Sequence, residues 1–361
     1  MVEKIIVTGA GGLIGYEASA FFLKKGYGVV GIDNNMRKYF FGEKGDTSAN
    51  INELKKNKSF IYEHLDIRDR VAVEALFKQL DGVKAIVHTA AQPSHDWAAK
   101  EPFTDFDVNA NGTLNLLENF RKYQSKAVFV YTSTNKVYGD KPNFVNLVEL
   151  DTRYEYAKEQ TMQGVSLDFG ISEEMSIDNS KHSLFGASKL AADVLCQEYG
   201  KYFNLNVGVF RGGCLTGPQH SSVELHGFLS YIIKCAVHGQ KYTIYGYKGK
   251  QVRDQIHSVD VMNAVWEFIQ QPKHGEAYNL GGCKQNSVSV LEVIDLLDKR
   301  HNLKLDYTYS DVNRIGDHIC YYSDMRKFQK DYPNWKLTKS LLEIVDEIVK
   351  AEIAKKEQAA K

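Results

Sequence analysis

Apolar residues near the amino terminus occur in short continuous runs that alternate with amphipathic stretches. Residues 5–7 and 29–32 are uninterrupted apolar or glycine runs, a pattern typical of strands that are covered on both faces. Between them, residues 16–25 have the spacing of a helix that stops at Gly26. The alternation continues to residue 135, which predicts an α/β fold built on a doubly wound parallel sheet.

The carboxyl-terminal half contains further predicted strands and helices. We expect strands over residues 206–218, 242–246 and 277–282, a helix over 227–238 and another helix from Ser340. These elements predict a smaller α/β lobe after the first sheet. The expected domains are residues 1–215 with a return segment near 254–282, a second lobe over 216–350, and a charged tail over 351–361.

Composition narrows the class of protein. The 361 residues include 45 Lys plus Arg and 45 Asp plus Glu, so net charge indicates no nucleic-acid partner. The five cysteines are an odd number without a Cys-x-x-Cys pair, which predicts neither a disulfide framework nor a metal site. A strand that begins at once leaves no room for a signal peptide, and no apolar run is long enough to span a membrane. We therefore expect a cytoplasmic enzyme without a membrane partner.

A glycine-rich turn joins the first predicted strand to the first predicted helix. Its spacing is Gly-x-x-Gly-x-x-Gly, with glycines at positions 9, 12 and 15. Gly9 permits a sharp turn, Gly12 lets a pyrophosphate approach the backbone, and Gly15 allows close packing of helix on strand. The amides at the helix start then face the phosphates.

An acidic residue follows at the end of the second predicted strand. Asp33 lies where a carboxylate accepts both ribose hydroxyls of NAD and repels a 2′-phosphate. The cofactor prediction is therefore NAD. Arg37 and Lys38 follow closely and leave NADP as the alternative.

Further motifs occur in a fixed order and resemble the extended short-chain dehydrogenase/reductases, the NAD-dependent epimerase/dehydratase family. They include Asp66-Ile67, His88-Thr89-Ala90-Ala91, and Asn109 followed by Gly112-Thr113. The resemblance implies a Rossmann domain that binds NAD, with a smaller carboxyl-terminal lobe over a nucleotide sugar. It implies cofactor contacts from Gly9, Gly12, Leu13, Ile14, Gly15, Asp33, Asn34, Asp66, Ile67, Thr89, Ala90, Ala91, Gln92, Asn109, Thr132 and Lys189.

Residues after the fifth predicted strand bear on the type of reaction. By resemblance, Thr134 supplies the hydroxyl that contacts the sugar hydroxyl being oxidised. Sugar-nucleotide dehydratases carry Asp-Glu at the next two positions, whereas this chain has Asn135-Lys136. The missing acid disfavours dehydration. The stretch from Ser133 to Asp140 instead resembles the CDP-paratose/CDP-tyvelose 2-epimerases.

The family motif Tyr-x-x-x-Lys is incomplete in this chain. Lys189 is present, but Phe185 occupies the tyrosine position and cannot transfer a proton. Three explanations stay open: an inactive form, a subgroup whose base lies elsewhere, or a protein that binds without chemistry. The candidate replacement bases are Tyr154, His182, Tyr138 and Lys136.

The resemblance also implies substrate contacts. Arg253 matches the arginine that grips the pyrophosphate, Arg314 lies in a loop that completes the nucleotide pocket, and Cys214 replaces an Asn that holds phosphate. The segment over residues 150–181 resembles an insertion of the 2-epimerases. Two interpretations stay open: it covers the sugar and supplies Arg153 or Tyr154 to it, or it is only surface decoration. The remaining predicted substrate contacts are Gln92, Thr134, Asn135 and Lys136.

The function predicted from this resemblance is epimerisation by transient oxidation to a keto sugar, at C2 of a CDP-hexose. A UDP-hexose is the other substrate considered. The alternatives are a nucleotide-sugar 4-epimerase or oxidoreductase, and a catalytically silent binder of NAD and a sugar nucleotide. The resemblance also implies a homodimer, formed by the helices after Phe103 and around Leu190.

Overall fold

The computed structural model describes residues 2–218, 227–313 and 316–359, with Ala359 described by its backbone alone. Backbone contacts divide the chain into two units. Unit 1 comprises Met1–Val137, Ser183–Arg211 and Val261–Tyr278, and unit 2 comprises Tyr138–His182, Gly212–Asp260 and Asn279–Lys361. The assignment of cofactor and sugar binding to particular domains stays a prediction.

A seven-stranded sheet forms the centre of unit 1. Its strand order is β3-β2-β1-β4-β5-β10-β14, and the β1–β2, β1–β4, β2–β3 and β4–β5 pairs are parallel. The order changes direction between β1 and β4, which confirms the predicted doubly wound α/β fold. The strands are β1 (Lys4–Thr8), β2 (Gly28–Ile32), β3 (Phe60–Glu63), β4 (Val83–His88), β5 (Val128–Thr134), β10 (Val207–Gly212) and β14 (His274–Leu280).

Helices follow the strands because their apolar faces must be buried against the sheet. They are α1 (Leu13–Lys24), α2 (Met36–Phe41), α3 (Ser48–Leu54), α4 (Arg70–Gln79), α5 (His95–Lys100), α6 (Pro102–Phe106), α7 (Gly112–Tyr123), α8 (Ser183–Tyr202) and α10 (Ser258–Gln270). A π-helical turn over Asp107–Asn111 joins α6 to α7. One core cluster combines Phe129 and Val209 of the sheet with Phe120 of α7 and Cys196 of α8.

Unit 2 is built from smaller sheets and three packed helices. Its four-stranded sheet has the order β11-β13-β15, with β17 also paired to β13. The strands are β6 (Leu147–Glu149), β7 (Tyr154–Tyr156), β8 (Val165–Ser166), β9 (Gly170–Ile171), β11 (Cys214–Thr216), β12 (Tyr242–Tyr245), β13 (Val252–His257), β15 (Ser287–Ser289), β16 (Tyr307–Ser310) and β17 (Cys320–Tyr321). The helices are α9 (Phe228–His238), α11 (Val290–His301), α12 (Arg326–Asp331) and α13 (Leu341–Ala359), of which α9, α11 and α13 share a core.

The single strand expected over residues 206–218 is two strands in different sheets. β10 ends at Gly212 in the central sheet, and β11 begins at Cys214 in the sheet of unit 2. Gly213 lies between them, and its N–H donates to the Leu280 carbonyl oxygen at 2.9 Å. A Cβ at Gly213 would lie 2.6 Å from Oδ1 of Asp254, so only glycine fits this break without a shift.

The described residues contain neither a membrane-spanning helix nor a metal-binding cluster. Across residues 2–218, 227–313 and 316–359, no helix has both the length and the apolar character needed to cross a membrane. The same part of the chain contains no group of three or more His, Cys, Asp or Glu side chains arranged to hold a metal ion.

We expect Gly200→Ala to destabilise the protein, although alanine is favoured over glycine in a free helix by about 1 kcal/mol. A Cβ at Gly200 in α8 would overlap the backbone nitrogen of Gly275. Overpacking against backbone costs about 1–3 kcal/mol in the free energy of unfolding, measurable by urea denaturation. Glu198→Ala, at an exposed position of α8, is the control and should change stability by less than about 0.5 kcal/mol. Increased stability of Gly200→Ala would contradict the close packing.

Candidate active site

The glycine turn after β1 has the geometry expected of a pyrophosphate site. Gly9 has φ +68°, and a Cβ there would lie 2.8 Å from Cα of Ala90. A Cβ at Gly15 would collide with the Gly9 carbonyl oxygen, whereas one at Gly12 would meet only that oxygen, at 3.3 Å. Helix α1 begins after Gly12 without a side-chain cap, so the amide groups of its first turn suit an anion. These features fit the diphosphate of NAD.

Asp33 lies at the carboxyl end of β2, beside the glycine turn. Its Oδ2 accepts a hydrogen bond from the Gly11 amide at 2.8 Å, and its Oδ1 accepts one from the Asn35 amide at 2.7 Å. Burial raises the pKa of the Asp33 carboxyl above its ordinary value, and the two amides partly oppose this. The side chain is therefore held in place by backbone donors, with acceptor capacity left for ribose hydroxyls.

The two cations after Asp33 are both engaged by neighbouring side chains. The Arg37 guanidinium lies 4.9 Å from the centroid of the Phe41 ring, and burial lowers the pKa of Arg37 to about 10. Lys38 pairs with Glu43 at 3.0 Å and with Asp46 at 3.2 Å. Neither arrangement offers the dedicated cation that a 2′-phosphate needs, which favours NAD over NADP.

The predicted adenine contacts lie after β3. Asn34 Nδ2 donates to Asp66 Oδ2 at 3.0 Å, and Arg68 pairs with the same oxygen at 2.7 Å. Ile67 is buried, and its carbonyl oxygen accepts a hydrogen bond from Nδ2 of the Asn115 side chain at 2.8 Å. Asn34 and Asp66 are thus brought together, while Ile67 belongs to the core of unit 1.

A buried polar network follows β4. Asn109 Nδ2 donates to the Gln92 carbonyl oxygen at 3.0 Å, to Asp105 Oδ1 at 3.1 Å and to Ser188 Oγ at 3.0 Å. Gln92 Nε2 donates to Asp105 Oδ1 at 2.7 Å and to the Ser94 carbonyl oxygen at 2.8 Å. Because Gln92 and Asn109 are each only 1% exposed, these contacts favour a bracing role for both over direct ligand contact.

The hydroxyls of Thr89 and Thr132 are also used inside unit 1. Thr89 Oγ1 donates to the Thr8 carbonyl oxygen at 2.7 Å, and Thr132 Oγ1 donates to the His88 carbonyl oxygen at 3.0 Å. These bonds fix the carboxyl ends of β1, β4 and β5. Ala90 and Ala91 follow Thr89, and both are half-buried.

Thr134 ends β5, with Asn135 and Lys136 directly after it. The Lys136 amide donates to Thr134 Oγ1 at 3.2 Å, and that hydroxyl lies 3.5 Å from Asn135 Oδ1. Asn135 is 6% exposed. The turn therefore presents a hydroxyl and an amide, with no carboxylic acid at positions 135 and 136.

Lys189 is a buried cation on α8. Its Nζ donates to the Thr132 carbonyl oxygen at 2.9 Å and lies 4.3 Å from the centroid of the Tyr131 ring. Burial lowers the pKa of the Lys189 ammonium to about 8, and Cys196, Asp193 and Asp105 oppose this shift. The structure thus brings together Lys189 and Thr132, two of the predicted cofactor contacts, and their contact with the cofactor stays a prediction.

Phe185 lies one helical turn before Lys189 and contacts a residue that sequence reasoning missed. The His95 ring packs edge-on against the Phe185 ring, with centroids 4.9 Å apart. Nδ1 of His95 lies 2.8 Å from Oγ of Ser183. No spacing links residue 95 to residue 183, so only the packing of α5 on α8 brings this pair to the tyrosine position.

Tyr154, His182 and Tyr138, three of the candidate replacement bases, belong to unit 2. Burial first, and Glu149 second, raise the pKa of Tyr154 above its ordinary value, which weighs against a phenolate base. His182 Nε2 lies 3.4 Å from Ser180 Oγ, and Tyr138 donates its buried hydroxyl to Asn279 Oδ1 at 2.8 Å.

Predicted substrate contacts in unit 2 are engaged by residues of the same unit. Arg153 bonds Ser287 Oγ at 2.6 Å and Glu292 Oε2 at 3.3 Å. Arg253 is 8% exposed and lies 3.4 Å from Asp317 Oδ1. Cys214 lies in β11, and Arg314 lies outside the described residues.

Comparisons with known proteins identify the family of this chain. The model of the NAD dependent epimerase/dehydratase family matches residues 5–281. The chain is 32% identical over 331 residues to the CDP-paratose 2-epimerase of Salmonella typhi, covering 90% of this chain and 92% of that protein. It is 27% identical over 333 residues to the UDP-glucuronate 4-epimerase of Thermodesulfobacterium geofontis, covering 92% of this chain and 90% of that protein.

Solved structures show the same fold. One is the UDP-glucuronic acid 4-epimerase of Bacillus cereus in complex with UDP-glucuronic acid and NAD. The TM-score is 0.76 at 23% identity, covering 97% of this chain and 98% of that chain. This likeness establishes the architecture.

We expect the buried charge of Lys189 to lower stability in cofactor-free protein. Its pKa is about 8 in the folded protein against an ordinary 10.5, so between these values the unfolded chain binds more protons and stability rises with pH. Lys189→Met should therefore raise the free energy of unfolding by up to about 3 kcal/mol near neutral pH. The gain should shrink as pH approaches 10.5, where both states lose the proton.

Urea denaturation of both proteins across this pH range measures the difference. Lys201→Met, at an exposed position of the same helix, should show no such pH dependence. A stability gain for Lys189→Met that stays constant with pH would contradict the assignment.

Proposed function

This chain belongs to the NAD dependent epimerase/dehydratase family, and from that premise we propose that it epimerises a nucleotide-activated sugar at C2 of a CDP-hexose. The family is NAD dependent, which confirms the predicted cofactor. Bound NAD supplies the hydride acceptor for transient oxidation of the sugar and returns the hydride afterwards. The residues of this chain must then hold the cofactor, position the sugar hydroxyl and move its proton.

The observation that carries the proposal is the arrangement at the end of β5. Lys189 is fixed at the Thr132 carbonyl oxygen at 2.9 Å, and Thr134 lies two residues further along the same strand. A lysine in this place suits the nicotinamide ribose, and a hydroxyl suits the sugar. Lys189 is positioned by backbone rather than by an acidic partner, so its donors can turn to ribose when cofactor binds.

The same turn disfavours elimination of water. Dehydration needs an acid that protonates the leaving hydroxyl, and positions 135 and 136 hold Asn and Lys. Asn135 is buried beside Thr134, so its amide can orient the Thr134 hydroxyl without donating a proton to a leaving group. Epimerisation requires only reversible oxidation and is compatible with this residue set.

The choice of C2 and of a CDP-sugar rests on the relative from Salmonella typhi and on the resemblance of residues 133–140 to 2-epimerases. The second candidate is 4-epimerisation of a UDP-sugar, favoured by the relative from Thermodesulfobacterium geofontis. Both candidates use the same hydride chemistry, and they differ in the sugar carbon presented to the cofactor.

We expect purified protein to carry NAD and to interconvert CDP-paratose and CDP-tyvelose, with UDP-glucuronic acid unchanged. The products are measured by NMR of the sugar ring, which distinguishes inversion at C2 from inversion at C4. Lys189→Met should lower turnover by about 10²-fold or more, since it removes the ribose contact and the only buried cation of this helix face. Inversion at C4 of a UDP-sugar would replace the proposal with the second candidate.

A catalytically silent binder is the alternative raised by Phe185. If the wild-type protein binds NAD and CDP-paratose yet alters no sugar, Phe185→Tyr tests this reading. If the wild-type protein is silent, a large gain in turnover on restoring the phenol would identify an inactivated enzyme. If the wild-type protein is already active, unchanged or reduced turnover of Phe185→Tyr would indicate a different base.

We further propose that the protein is a homodimer through α6 and α8. Phe103 is 86% exposed and Tyr202 is 79% exposed, and these two helices pack together in unit 1. Phe103→Glu should shift the molar mass measured by light scattering from that of a dimer to that of a monomer. The matched control is Phe144→Glu. Phe144 is an exposed phenylalanine of unit 2, 61% exposed, and this variant should stay dimeric. A wild-type monomer would refute the assembly.

A further inference from the structure

We infer that Ser183 and His95 together perform the proton transfer that Phe185 cannot perform. The inference rests on the proposed epimerase function, because it names the groups that move the proton of the sugar hydroxyl. All the residues on which it depends belong to unit 1.

The pair is in contact with Phe185, the residue at the tyrosine position. Phe185 and Lys189 are four residues apart in α8 and share one face of the helix. The His95 ring contacts the Phe185 ring with centroids 4.9 Å apart and planes at 66°. His95 is thus in direct contact with the ring that occupies the tyrosine position.

The hydrogen bonds around Ser183 bear on which atom donates the proton between Ser183 and His95. The Gly186 amide donates to Ser183 Oγ at 3.2 Å, so the Ser183 oxygen is an acceptor on that side. Nδ1 of His95 lies 2.8 Å from the same Oγ. A hydroxyl has one proton and two acceptor lone pairs, so the inference assigns the Ser183 proton to Nδ1 of His95 and the proton of the neutral imidazole to Nε2.

Backbone geometry at Ser183 is a second, independent observation. Ser183 has φ +59°, in the left-handed region that costs a non-glycine residue of order 1 kcal/mol or more. Such conformations are concentrated at functional sites, where the surroundings enforce them. Here the conformation directs the Ser183 hydroxyl to α5 while its oxygen still accepts from α8.

The position of His95 is fixed from the other side by the buried network. The Ser94 amide donates to Gln92 Oε1 at 2.6 Å, and Ser94 Oγ accepts from the Trp97 amide at 3.3 Å. His95 is the first residue of α5, directly after this cap. Charged groups on the surrounding helices are Asp96 and Lys100 of α5, Glu101, Asp105 of α6, and Lys189 of α8.

The proton transfer balances in both directions. During oxidation, the sugar O–H bond breaks, its proton passes to Ser183 Oγ, and the Ser183 proton passes to Nδ1 of His95. NAD, when bound, would accept the hydride from the carbon, so that a carbonyl and an imidazolium would result. After the keto sugar turns over and regains a hydride on the opposite face, Ser183 returns a proton to the oxygen and recovers one from His95.

The first test compares variants in NAD-loaded protein with CDP-paratose as the probe. His95→Asn keeps a polar partner for Ser183 but cannot hold the extra proton, and it should lower turnover by about 10²–10⁴-fold. NAD affinity measured by calorimetry should stay unchanged, as should the melting temperature. His274→Asn, at an exposed histidine that bonds the Leu205 carbonyl oxygen, is the control and should retain full turnover.

The second test is rescue. Phe185→Tyr placed in the His95→Asn protein should restore turnover to within about tenfold of wild type, because the phenol next to Lys189 takes over the proton. A merely structural role for His95 would not be repaired by a hydroxyl at position 185. Wild-type turnover in His95→Asn, or no rescue by Phe185→Tyr, would overturn the inference.

The third test does not depend on turnover. ¹⁵N NMR of the imidazole at neutral pH should show His95 protonated on Nε2, and Ser183→Ala should shift its titration midpoint. A neutral His95 protonated on Nδ1 would overturn the inference. If the wild-type protein altered no nucleotide sugar, the proposed function would fail. The tautomer of His95 would still show whether Ser183 donates its proton to Nδ1, so the two failures can be told apart.

Discussion

The polar network around Asn109 is the constraint on which the candidate site depends. One buried amide bonds the backbone after β4, the Asp105 carboxylate of α6 and the Ser188 hydroxyl of α8. These three segments are distant in sequence, and each supplies part of the site. Because an unpaired polar atom at this depth would cost about 1–3 kcal/mol, the segments cannot separate without breaking several bonds together. The π-helical turn over Asp107–Asn111 gives Asn109 the position from which it reaches all three.

Lys189 shows how the site departs from what stability alone would favour. The residue is 4% exposed, and its ammonium donates to a neutral carbonyl oxygen rather than to a carboxylate. Nearby, Asp193 is fully paired with Arg211 at 2.9 Å and with Ser133 at 2.6 Å. The carboxylate that could have neutralised Lys189 is thus committed to the core. A lysine left in this state is poised for a ligand oxygen, which is the use that the proposed function makes of it.

The absence of the tyrosine changes the chemistry of one face of α8 but not its packing. Phe185 is 7% exposed and fills the place of the phenol ring. In the proton transfer that we infer, Ser183 supplies the hydroxyl and His95 of α5 is the titratable group. In unit 2, by contrast, the residues proposed as replacement bases are bound within their own unit, as with Tyr138 and Asn279. Lys136, the fourth candidate, belongs to unit 1 and follows Thr134 directly.

The sequence by itself determined the fold and the cofactor turn. The apolar runs predicted the parallel strands, and three glycines and Asp33 predicted the nucleotide site, because these signals lie in local periodicity and in residues close along the chain. Strand ends were less well determined: the stretch over 206–218 is two strands, since the break at Gly213 depends on contact with Asp254. Predicted ligand contacts such as Gln92 and Arg153 have protein partners that no local pattern reveals.

Only the tertiary structure decided which groups meet at the tyrosine position. His95 and Ser183 are separated by 88 residues, and neither belongs to a motif that spacing could mark. They meet because α5 packs on α8, a contact that exists only after the sheet and its helices have assembled. Hydrophobic periodicity and turn motifs specify helices and strands because they act between residues that are close along the chain. The chemistry of this site depends on side chains that become neighbours through folding.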